Sequence, residues 1–210
     1  MLNVIGRLSF AASLVVIAGA ASAQWYGGAQ GGSATGGPDA GKISRELVND
    51  LGYFSAATST DKRDFGWRVF AGYQMLPWLA LEGAYVDVGR SKWTSVVSPP
   101  GTIDVSLRTS AWTLGLAARY EFVPGLSAYG RVSAAYAKTK PSISATGFAD
   151  AGDTTSRRDT VPAYAAGIEY SFTPRISGRI EFERIARVSS AEFGGKFDVD
   201  FASVGIRVGF

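Results

Sequence analysis

The chain has 210 residues, of which 46% are hydrophobic and 19% charged, with 26 glycines, no cysteine, no histidine and a formal charge of +3. The missing cysteines exclude a disulfide framework and thiolate chemistry. The missing histidines remove the commonest general base, and so small a charge is too little for a nucleic-acid binder. The length suits one domain.

The first element is a leader. Met1 to Arg7 is a short basic segment, Leu8 to Ala20 an apolar run, and Ala21-Ser22-Ala23 an A-x-A cleavage site, which together predict a secretory signal peptide over 1–23. The apolar run is short of the roughly 20 residues a spanning helix needs. Cleavage after Ala23 leaves residues 24–210, 187 of the 210, with the charge reduced from +3 to +2 by the loss of Arg7. No other stretch approaches the length of a transmembrane helix, so membrane residence has to come from strands.

Proline sets the rhythm of the remaining chain. Leu76-Pro77-Trp78, Val123-Pro124-Gly125 and Thr173-Pro174-Arg175 each separate two runs rich in Val, Ile, Tyr, Phe, Ala and Gly, and proline suits a tight turn because its φ is already fixed. Three short turns join six strands, and one more strand lies at each end. The predicted strands are 24–33, 64–75, 79–89, 104–122, 126–138, 161–172, 176–186 and 196–210. Four long polar connections, 34–63, 90–103, 139–160 and 187–195, alternate with the short turns, the arrangement of an antiparallel up-and-down barrel. Within the first connection Ile43, Leu47, Val48 and Leu51 fall at helical spacing before Gly52, predicting a short amphipathic helix that caps the barrel mouth or presents a binding element.

The two faces of the strands differ in kind. Trp112, Leu114, Leu116, Ala118, Tyr120 and Phe122 share one side of their strand, opposite Thr113, Gly115, Ala117, Arg119 and Glu121. Tyr164, Ala166, Ile168, Tyr170 and Phe172 repeat the pattern. A soluble barrel would carry long polar side chains on its wet face; small residues with isolated charges suit a narrow lumen, and aromatics near both strand ends suit the two interfacial girdles of a membrane barrel. Parity turns Arg68, Glu82, Arg119, Glu121, Arg131, Glu169, Arg179, Glu181 and Glu183 inward, where unpaired charge is costly and pairing across the lumen is expected.

Segments 66–89 (GWRVFAGYQMLPWLALEGAYVDVG) and 166–185 (AGIEYSFTPRISGRIEFERI) carry the resemblance to a family. Gly72-Tyr73-Gln74, the proline turn, Glu82, Gly167-Ile168-Glu169-Tyr170 and Arg179-x-Glu181 resemble the OmpA-like eight-stranded transmembrane barrels of the outer membrane. The resemblance covers essentially the whole predicted mature chain. It implies an all-β fold and a lumen network to which Glu82, Glu169 and Arg179 map by motif, with Arg119 or Gln30 as a further partner. In the family's best-known member such a network closes the lumen and acts as a gate. Glu181 joins the expected set by parity. The final strand, with Ser203, Gly205, Val208 and Phe210, resembles the C-terminal signal read by the barrel assembly machinery. The larger members add a peptidoglycan-binding domain, which is not expected here.

The functional expectation is a structural, non-enzymatic outer-membrane protein supporting envelope integrity, its lumen plugged by the Glu/Arg network. The alternatives are a surface adhesin or serum-resistance barrel acting through its loops and a narrow gated channel for ions or small solutes. No cofactor, metal or catalytic residue is expected, since Asp150, Asp153, Asp198 and Asp200 lack the spacing of a calcium loop. Expected partners are outer-membrane lipids, lipopolysaccharide, the barrel assembly machinery, periplasmic chaperones and a host-surface ligand, with the barrel itself a monomer. Lys92, Lys138, Lys140, Arg157, Arg158, Arg184, Arg187 and Lys196 gather toward the outer rim, where lipopolysaccharide phosphates would attract them, although solvated loop charge accounts for them equally.

Overall fold

Period-2 alternation persists over unusually long stretches, and in a computed structural model it produces long strands. The structure describes residues 24–36, 55–61, 63–98, 101–147, 156–189 and 196–210. The predicted signal peptide and the helix predicted around Ile43 to Leu51 lie outside the described residues. The strands are β1 (Trp25–Gly36), β2 (Ser55–Asp61), β3 (Arg63–Leu76), β4 (Leu79–Ser98), β5 (Gly101–Val123), β6 (Leu126–Gly147), β7 (Arg157–Ser171), β8 (Ile176–Ser189) and β9 (Lys196–Gly209). Both β2 and β3 pair with β4, β2 along its far half and β3 along its near half, so the nine strands make eight staves.

Every stave pairs antiparallel with its sequence neighbours, and β1 pairs with both β3 and β9. The last strand thereby closes the sheet on the first, so the spanning section has no free edge, as a sheet in hydrocarbon requires.

The three short turns are built as their residues require. Gly125 has φ +81°, and its N–H donates to Glu121 Oε1 at 2.8 Å. Thr173 Oγ1 accepts from the N–H groups of Arg175 and Ile176 at 3.3 and 3.0 Å. Gln74 Nε2 donates to the Leu76 carbonyl at 2.7 Å beside the Pro77 turn. At the opposite end the strands run longer than the sequence predicts. Of the predicted connection 90–103, all but 99–100 is strand, as is the predicted 139–160 connection up to Gly147 and from Arg157. Runs such as Thr94–Ser98 and Thr102–Ser106 interleave Ser, Thr and Asp with Val and Ile, and their polar content reads as loop although the backbone is extended.

Two irregularities mark where the strands leave the apolar zone. The β4–β5 register shifts between Asp87 and Arg90, with Gly89 at φ +76° and its N–H donating to Asp87 Oδ1 at 3.0 Å. On β8 the shift falls between Ile185 and Val188, where Arg187 takes φ +59° and its N–H donates to Asp198 Oδ1 at 3.0 Å.

The outer surface is an apolar belt. Trp112, Leu114 and Leu116 are 62%, 60% and 48% exposed, and Ile168, Ile180 and Val204 join them. Trp67, Tyr85 and Trp112 stack in sequence, with ring centroids 5.5 and 5.0 Å apart. At the turn end Trp25 meets Tyr73 at 4.9 Å and Tyr170 meets Phe172 at 5.2 Å. From Trp112 to Phe122 the chain rises roughly 25 Å along the barrel axis, given about 3.3 Å per residue and a tilt near 40°, which matches the apolar band of a membrane barrel.

A barrel without free edges resists mild detergent until heated. The refolded protein should migrate faster unheated than boiled on a gel run in dodecyl sulfate, and identical mobilities would contradict the closed sheet.

Candidate functional site in the barrel lumen

Inward positions alternate between long charged side chains and very small ones, and the strand register interleaves them. Glu82 lies opposite Gly72 on β3 and Gly115 on β5. Glu181 lies opposite Gly167 and Ser203, Arg131 opposite Ala117 and Ala165, and Arg179 has Gly205 on its β9 side. An eight-stranded lumen has width for side chains to fill it and little more, so each long residue occupies the space its small neighbours leave.

The charges meet in one layer. Arg68 donates to Glu82 at 2.7 Å, to Glu181 at 2.5 Å and to Glu183 at 3.3 Å. Arg131 reaches the same three carboxylates at 2.6, 2.8 and 3.0 Å. Arg179 bridges this group to Glu169, at 3.0 Å from Glu82 and 3.1 Å from Glu169. Toward the turn end, Arg119 and Arg207 also bind Glu169, at 2.9 and 3.2 Å. Tyrosine hydroxyls complete the acceptors: Tyr26 donates to Glu82 at 3.1 Å and Tyr129 to Glu181 at 2.5 Å. The Arg179 guanidinium also lies over the Phe70 and Tyr129 rings, 4.7 and 4.4 Å from their centroids.

Both tyrosines rest on glycines. Tyr26 is paired with Gly72 and Tyr129 with Gly167, and a Cβ on Gly167 would stand 2.7 Å from the Tyr129 hydroxyl. The absent side chain lets the ring lie flat across the strand and aim its hydroxyl at the carboxylate.

Arg68, Glu82, Glu181 and Glu183 have side chains with no exposure and Arg131 only 1%. Arg119 and Arg207, at 29% and 14%, form the wetter margin. Beyond the layer, away from the turns, lies an apolar one that includes Val86, Ala111, Ala135, Ala163, Ile185 and Phe201. Small cavities flank the stack: about 20 Å³ beside Arg119, Glu169 and Arg207, and about 10 Å³ among Val88, Leu107, Phe197 and Val199. The larger has room for one water and the smaller barely for one.

The sequence model of the OmpA-like transmembrane domain matches residues 20–210. The chain belongs to that family. Outer membrane protein A of Salmonella typhi is 25% identical over 191 residues, covering 89% of this chain and 48% of the relative, so the chain spans about half the length of the curated relatives it matches. Among solved structures, Neisserial surface protein A superposes with a TM-score of 0.57 at 14% identity, covering 89% of this chain and 97% of that one. OprG of Pseudomonas aeruginosa gives 0.52 at 13%, covering 88% and 95%. Both likenesses are of fold. Family membership makes this an outer-membrane barrel, with short turns toward the periplasm and the far strand ends outside.

Within that frame the predicted Glu82, Arg119, Glu169, Arg179 and Glu181 come together, and so do Arg68, Arg131 and Glu183. Glu121 does not join them: it has the right parity but is exposed at the turn end, where it accepts the Gly125 N–H. Gln30 lies opposite Arg68, yet its amide has no hydrogen-bond partner among the described residues. Sequence reasoning missed Arg207, Tyr26 and Tyr129. Parity would have found all three, because Phe201, Ser203, Gly205 and Arg207 alternate with the lipid face, Tyr129 shares the parity of Arg131, and Tyr26 that of Gln30. Of the final-strand motif, Ser203 and Gly205 line the lumen, Val208 pairs with Gly27 and Ile176, and the Phe210 N–H donates to the Trp25 carbonyl at 2.9 Å.

Removing one partner from a dry ion cluster leaves charge without compensation. Arg131→Met should cost about 3–5 kcal/mol, read as a lowered urea midpoint in lipid vesicles; a loss below about 1 kcal/mol, the scale of exposed pairs, would mean that water reaches the layer. Gly167→Val should push Tyr129 off Glu181 and cost more than the roughly 1–3 kcal/mol of that hydrogen bond in the same assay, because its Cβ would also clash with the Ile180 carbonyl, with Gly130→Val, whose added Cβ has only the Ala165 carbonyl within 4 Å, at 3.9 Å, as the tolerated comparison.

Proposed function

We propose that this protein is a structural outer-membrane barrel that supports envelope integrity and whose lumen is plugged. The observation that carries the reading is the buried layer in which Arg68 and Arg131 each bind Glu82, Glu181 and Glu183 across the barrel. An ion crossing it would have to separate charges that have no water to turn to, a cost of several kcal/mol per broken partner. The apolar layer outside it, with Ile185 and Phe201 essentially fully buried, would have to be wetted as well.

A chemical role has little to stand on. The chain lacks histidine and cysteine, and its buried carboxylates are occupied by arginine and tyrosine donors. The inference is of a non-enzymatic barrel.

Single-channel recording separates a plug from a gate. The refolded protein and its Glu169→Gln variant should both give no resolved openings in a planar bilayer, while cells lacking the protein should become sensitive to bile salts and large antibiotics, with recovery on re-expression. Stable openings that Glu169→Gln enlarges would overturn the plug and make the lumen network a gate.

A further inference from the structure

The outward face of β4–β7 changes character sharply just beyond the outer girdle. One cross-strand row reads Tyr85, Trp112, Tyr136, Thr160. The next row outward reads Asp87, Ser110, Lys138, Arg158, and the one after it Arg90, Arg108, Lys140. Like charges therefore stand directly opposite one another on three strand pairs, Lys138 with Arg158, Arg90 with Arg108 and Arg108 with Lys140. Direct opposition of like charges destabilises a sheet. Lys92 extends the patch one step further along β4. Asp87 pairs with Arg108 at 2.6 Å, Asp64 Oδ2 accepts the Arg90 backbone N–H at 2.6 Å, Asp61 stands opposite Lys92 on β2, and Asp104, further out, accepts from Thr94. The other side of the barrel differs: the outward Arg184 on β8 is held by both Asp200 oxygens at 2.6 and 2.8 Å.

The patch lines a hollow of about 730 Å³ that includes Tyr85, Asp87, Arg90, Arg108 and Lys140. Directly membrane-ward lies a second, apolar hollow of about 610 Å³, and Tyr85 borders both. Its floor is the row Ala71, Gly83, Leu114, Ala134, where three small residues leave a trough between larger neighbours; Tyr85, Trp112 and Tyr136 form its rim. The trough is open, since a Cβ on Gly83 would meet nothing closer than 3.8 Å.

The geometry points to a binding site for an acylated, phosphorylated glycolipid of the outer leaflet, the lipid A portion of lipopolysaccharide. Its phosphates neutralise the Arg90, Arg108 and Lys140 row, and an acyl chain fills the trough over Gly83. A single amphiphile satisfies both hollows because basic shelf and apolar trough adjoin at the depth where headgroup meets hydrocarbon. The placement also explains why like charges can be tolerated across four strands. The site lies on the outside of the barrel and does not depend on whether the lumen conducts.

The test compares thermal midpoints of the protein refolded in neutral phosphatidylcholine vesicles with those in vesicles containing lipid A, dephosphorylated lipid A, or phosphatidylglycerol at equal charge. Lipid A should raise the midpoint, by more than phosphatidylglycerol does, and dephosphorylated lipid A should not. Arg90→Gln with Lys140→Gln should fold at least as well in neutral vesicles, since a repulsion is removed, and should lose most of the lipid A response, with apparent affinity down at least tenfold. Gly83→Leu should weaken the response to lipid A by filling the trough, while Lys196→Gln, on β9, should leave it intact. An equal response from wild type and the double variant, or equal shifts from lipid A and phosphatidylglycerol, would overturn the site in favour of general attraction to an anionic surface.

Discussion

In hydrocarbon no backbone N–H or C=O can fall back on water, so a spanning sheet has to close on itself. Here that closure is the antiparallel seam of β1 against β9, which runs from Tyr26–Gly209 to Gly36–Val199. With eight staves the seam fixes the bore, and the bore fixes the rest. Side chains must fill it, the outer face must be apolar, and polar groups inside must satisfy one another.

The lumen layer answers that last demand with unusual redundancy. Glu82 receives Arg68, Arg131, Arg179 and Tyr26, and Glu181 receives Arg68, Arg131 and Tyr129. Replacement of such a cluster by apolar groups is often neutral or stabilising in general, so its presence is no simple gain in stability. It does impose register. A one-residue slip of any stave would turn its charge to lipid, and the layer draws on β3, β4, β6, β7 and β8 at once.

Much of this was legible in the chain. Proline-marked turns and period-2 faces reveal the eight staves, and parity places Arg68, Glu82, Arg131, Glu181 and Glu183 in the lumen. What alternation cannot convey is height along the axis. Glu121 and Arg119 share a parity, yet two residues carry Glu121 out to the turn, where Gly125 claims it. Tyr129 shares the parity of Arg131 and Tyr26 that of Gln30, so alternation turns both inward; what it cannot convey is that Gly72 and Gly167 on the neighbouring strands clear a place for the rings. The far strand ends were missed for the opposite reason. Thr94–Ser98 puts Ser or Thr on both faces and a Val on each, with Ser95 buried and Val96 exposed, so it lacks the clean alternation of the spanning stretch and hides a strand behind the composition of a loop.

Those hidden strand ends have a mechanical consequence. From Trp112 in the outer girdle, β5 continues eleven residues to Gly101, paired throughout with β4 and β6. At about 3.4 Å per residue and a tilt near 40°, the ladder stands roughly 25–30 Å clear of the hydrocarbon. It is a cantilever and not a tether: hydrogen bonds on both flanks tie its tip to the barrel wall. Anything borne at that tip keeps a set height and a set azimuth, so the barrel's rotation in the plane of the membrane becomes the rotation of its outermost surface.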